Sequence, residues 1–108
     1  MERKIFEKLV KEITQNAHQH GHYIIWEEKL PDQSMNPAEA IALIHSELSE
    51  ALEYYRDNNK EKFAIEIIDV IIRCLHLCGD LNIDVDLFLK HKMGINKNRP
   101  YKHGRVNL

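Results

Sequence analysis

The chain has 108 residues, of which 44% are hydrophobic and 30% charged, with a net charge of −2. That is enough for one domain spanning residues 1–108, and no apolar run approaches the roughly 20 residues a membrane span requires. An N-terminus without a continuous apolar core or small-residue cleavage site reads as cytoplasmic rather than exported. The charge is uneven: Glu27 to Asp69 holds eleven acids and four bases, whereas Leu87 to Leu108 holds six bases and no acid. An acidic middle and a basic tail suggest a polyanion approached through a cation.

Ile5, Phe6, Leu9, Val10, Ile13 and Ala17 recur at helical spacing and predict a first helix from about Arg3 to Gln19, closed by Gly21. His18, His20 and His22, alternating at its end, read as solvated polarity. Residues 21–36 lose the period and form a long loop without strand-like alternation. Asn36-Pro37-Ala38-Glu39 then supplies a cap, a proline at the first helical position and an acid three after the cap. The second helix runs to Tyr55 or Arg56, the sequence Asp57-Asn58-Asn59 turns the chain, and a third helix runs from about Lys60 to Gly79. Cys74 and Cys78 within it read as buried, reduced thiols. Asp84 caps a fourth helix, weakened by Gly94 and ended by Pro100. The fold class is all-α: four helices in a bundle-like arrangement around a central antiparallel hairpin.

The hairpin carries the chemistry. Glu47 and Glu50 are three apart on the second helix, and Glu66 and Asp69 three apart on the third, so each pair shares a face. Glu47 and Asp69 are each eleven residues from Asn58, and Glu50 and Glu66 each eight, so antiparallel packing brings the four carboxylates to one level. Converging carboxylates raise one another's pKa unless a cation neutralises them. A hard dication such as Mg2+, which binds a few carboxylates together with substrate phosphates, suits the set. The alternative is a solvated face with Glu66 paired to Lys62 and Asp69 to Arg73. Against it, Ala64, Ile65, Ile67, Ile68, Val70, Ile71 and Ile72 make the third helix apolar on nearly every side, which predicts burial all round and a second subunit to cover it. A di-iron bundle would need Glu-x-x-His pairs, and the chain has none.

The pattern Glu47-x-x-Glu50, fifteen residues, then Glu66-x-x-Asp69 resembles the metal-binding motif of the MazG-like all-α nucleoside triphosphate pyrophosphatases. So do the run Ser46 to Glu53 and the ending Lys92, Asn96, Arg99-Pro100-Tyr101-Lys102-His103-Gly104. The resemblance implies a Mg2+-dependent hydrolase, with Mn2+ able to substitute, that cleaves nucleoside triphosphates to monophosphate and pyrophosphate. It implies a homo-oligomer, a dimer or dimer of dimers, with no membrane or nucleic-acid polymer as partner. Glu47 or Glu50 is then the base, and Lys92, Asn96, Arg99, Tyr101 and Lys102 suit phosphate or sugar, unless the tail is a plain solvated end. Trp26 either stacks on the base or anchors its loop. The alternatives are a phosphoribosyl-ATP pyrophosphatase, a nucleotide-binding regulatory module without turnover, and a purely structural helical oligomer.

Overall fold

A computed structural model describes residues 4–27 and 34–100. Four helices dominate: α1 (Glu7–Gln19), α2 (Pro37–Arg56), α3 (Lys60–Asp80) and α4 (Val85–Lys97). None is long and apolar enough to cross a membrane. Three helix starts are fixed by local side chains that satisfy otherwise unpaired N–H groups. Asn36 accepts from the Glu39 N–H at 2.8 Å, Asn59 from Lys62 at 3.1 Å and Asp84 from Leu87 at 3.1 Å. Asn58, in the left-handed region at φ 54°, turns α2 into α3, a conformation asparagine tolerates better than most residues.

α1 begins four residues later than its periodicity predicts. Phe6 offers no side-chain cap. Asp86 of α4 accepts the N–H groups of Ile5, Phe6 and Glu7 at 2.7–3.0 Å, bending the chain there. α4 runs through Gly94 to Lys97, and a Cβ at Gly94 would meet nothing, so this glycine marks no packing constraint.

The loop after α1 is more ordered than its sequence suggests. Gly21 turns it at φ 81°. Two short strands, β1 (Tyr23–Ile24) and β2 (Ser34–Met35), then pair in parallel with Tyr23 opposite Ser34. Two-residue strands leave no alternation to read. The main packing joins α2 to α3 and α1 to α3; α4 is not packed broadly on the hairpin. α1 approaches α3 at Gly79, where any Cβ would collide with the Thr14 hydroxyl.

The core is thin: Ile24, Ala40, Ala51 and Leu75 are its buried apolar side chains among the described residues. The expectation that α3 is buried all round does not hold for one copy, because Ile65, Ile68, Ile71 and Ile72 all stand about half exposed. Cys74 and Cys78 are half-buried free thiols rather than fully buried ones.

Candidate metal centre

The antiparallel α2–α3 hairpin brings Glu47, Glu66 and Asp69 together, with one carboxylate oxygen of each within 4.8 Å of the others. Glu50 is exposed, and its charge acts on Glu66. All four predicted carboxylates therefore meet at one level, three of them half-buried.

Glu66 bears the strain of this crowding. Hydrogen bonding with Glu47 first, then burial, then the negative charges of Glu47 and Glu50 push its carboxyl from the ordinary 4.5 to about 7. Its Oε2 is buried without a hydrogen-bond partner. Such an oxygen is costly to leave unpaired.

Arg73 is the compensating charge the sequence did not reveal. Spacing pairs it with Asp69 along α3, but its Nη2 donates across the hairpin to Glu47 Oε1 at 3.2 Å. Asp69 and Arg73 also edge a cavity of about 520 Å3, lined further by Asn16, His22, Ile24, Met35, Leu43, Ile72 and His76. Mostly apolar walls with a few convergent polar groups are the usual make-up of a small-molecule pocket.

The remaining predicted residues lie elsewhere. Trp26 is 74% exposed, so it anchors no core, and it lines a separate recess with Asp80 to Ile83 rather than the cavity beside Asp69. Lys92 and Asn96 are exposed on α4, and Arg99 is exposed just beyond it. None of the three lines the cavity beside the acids. Tyr101 and Lys102 fall outside the described residues.

Sequence reading also missed a histidine–carboxylate cluster. Asp80 Oδ1 lies 2.5 Å from His18 Nε2, and Oδ2 lies 2.7 Å from His76 Nε2 and accepts the Ile24 N–H at 2.8 Å. His18 is thus a tertiary contact rather than solvated polarity. Its partner is 62 residues away, beyond any local spacing rule.

Comparison with protein-family models, with curated proteins and with solved structures gives no match in any of the three.

Proposed function

We propose that the chain is a Mg2+-dependent nucleoside triphosphate pyrophosphohydrolase of MazG-like type, assembled as a homo-oligomer. The observation that carries this reading is Glu66: a buried, unpartnered oxygen and a carboxyl raised to about 7, in a cluster with Glu47 and Asp69. Such a donor set fits a hard dication, which would replace the shared proton; Mg2+ suits it, and Mn2+ also accepts oxygen ligands. Glu47, Glu66 and Asp69 would hold the ion, with Glu50 beside them.

The ion, when bound, supplies polarisation of phosphate oxygens and an acidified water. The chain's own residues do the rest. Glu47 is engaged by Arg73, so Glu50, exposed at the edge of the cluster, is the better-placed proton acceptor of the two candidate bases. Arg73 keeps further N–H donors for a phosphate oxygen. The cavity beside Asp69 offers apolar walls for a base and, at Asn16 and His22, groups to bond its edge. Lys92, Arg99 and Lys102 of the basic tail, reaching from a neighbouring copy, would neutralise the phosphates, with Asn96 and Tyr101 as hydrogen-bonding groups.

Incubating purified protein with nucleoside triphosphates and Mg2+ tests the reading. Equimolar monophosphate and pyrophosphate are expected, and Glu47→Gln or Asp69→Asn should reduce turnover about a hundredfold or more while the helical fold survives. Mg2+ should raise the melting temperature of the wild type more than that of either variant. Binding without product would indicate a regulatory module, preference for phosphoribosyl-ATP the narrower enzyme, and wild-type turnover in both variants a wrong site.

A further inference from the structure

His76 and Asp80 are one turn apart on α3 and so share a face, and the last turn of α1 sets His18 against them. One imidazole nitrogen of each histidine and one carboxylate oxygen of Asp80 all lie within 4.8 Å of one another. The cluster is sheltered: the side chains of Asp80, His76 and His18 are 6%, 12% and 33% exposed. Its parts are held from outside as well. The Ile24 N–H fixes the Asp80 carboxylate, and the Tyr23 ring stacks on His18 with centroids 4.2 Å apart. We propose that His18, His76 and Asp80 form a second metal site, for a borderline transition-metal dication of the Zn2+ class, at the junction of α1, β1 and α3.

The donor chemistry selects the ion. Two imidazoles and one carboxylate suit Zn2+, Co2+ or Ni2+, whereas Mg2+ and Ca2+ prefer oxygen alone. Three protein ligands leave a fourth tetrahedral position for water. Asp80 bridges the two Nε2 atoms, and because an ionised carboxylate can only accept, each imidazole then carries its proton on Nε2. Binding exchanges those contacts for Nε2 lone pairs, with each imidazole proton moving to Nδ1. Ligand atoms around a tetrahedral Zn2+ are roughly 3.3 Å apart given its bond lengths, so the His18–Oδ1 and His76–Oδ2 contacts, now 2.5 and 2.7 Å, need to open by less than 1 Å. The Ile24 N–H then serves as the outer contact that orients the carboxylate.

This site is separate from the acidic cluster, since Asp69 and Asp80 are eleven residues apart on α3, about 16 Å along the helix. The two are connected all the same, because Asp69 and His76 line one cavity. An ion at the second site therefore stiffens a wall of the first. Cys74 and Cys78 are the competing soft donors on α3, and burial pushes the Cys78 thiol up, away from the thiolate that binds metal.

Titrating the full-length protein with Co2+ tests the proposal. One equivalent should give ligand-field absorption of tetrahedral type, displaced by Zn2+ and not by Mg2+. His18→Gln and His76→Gln keep an amide N–H for Asp80 while deleting the imidazole ligand, so they preserve the fold, checked by circular dichroism, and should each weaken Co2+ binding about tenfold or more. Glu66→Gln should leave the spectrum unchanged. Three results would each overturn the assignment: no Co2+ spectrum in the wild type, undiminished affinity in both Gln variants, or a spectrum lost in Glu66→Gln. Thiolate-to-cobalt charge transfer would do the same, by giving the ion to Cys74 and Cys78.

Discussion

Glu66 shows how two neighbouring acids, Glu47 and Glu50, rewrite one residue's chemistry. Its carboxyl titrates near 7 when folded against 4.5 ordinarily, so the folded chain holds a proton there that the unfolded chain releases. The contribution to stability is fully present below about pH 4.5 and is lost as pH rises through 7. Without a dication, the melting temperature of the wild type relative to Glu66→Gln should therefore fall between these limits, because glutamine cannot ionise. A saturating dication should flatten that trend by taking the place of the proton. A difference that stays constant with pH would mean that Glu66 ionises normally.

Among the elements, α1 and α4 depend on each other in a way the hairpin does not. Asp86 gives α1 the cap its own sequence lacks. Asp86→Ala should cost about 1–2 kcal/mol in chemical denaturation, whereas Asp86→Asn, which retains an acceptor oxygen, should cost less. This contrast also explains what was legible in the sequence. α2, α3 and α4 start at Asn36, Asn59 and Asp84, each capping an amide three residues on, and local rules read such starts to the residue. The carboxylate level was equally legible, because hairpin symmetry about Asn58 is arithmetic. The start of α1, the Arg73–Glu47 bridge and the His18–Asp80 contact were not, because their partners lie 26 to 81 residues away. Periodicity finds the face of a helix; it does not say what meets that face.

For the whole molecule, the radius of gyration is 16.8 Å, against about 13 Å for a compact chain of this length. A single copy is open, and Leu48, Leu52 and Tyr55 of α2 stand exposed, as do Ile65, Ile68, Ile71 and Ile72 of α3. Covering the exposed half of one such side chain is worth about 1 kcal/mol, and several together favour association, so a dimer or dimer of dimers is expected by light scattering at micromolar concentration, and Ile68→Lys should dissociate it. A stable, active monomer would refute the assembly. Because α4 is not packed broadly on its own hairpin, its tail would serve a neighbouring copy's acids. Mixing inactive Glu47→Gln with Arg99→Ala protein should then recover activity that neither has alone, and failure to recover would place the tail in its own copy's site or in solvent. The seam where α1 meets Gly79 and Asp80 joins parts of the chain that lie far apart in sequence. The α2–α3 hairpin closes over a three-residue turn, whereas α1 must find α3 across some sixty residues. Local contacts form fastest, so the hairpin should fold first and α1 should dock last. In native-state hydrogen exchange, the α1 amides should open with a lower free energy than those of α2 and α3. Adding Zn2+ should slow the α1 amides most, because freeing α1 then means releasing the ion, turning the last piece to arrive into one of the last to leave.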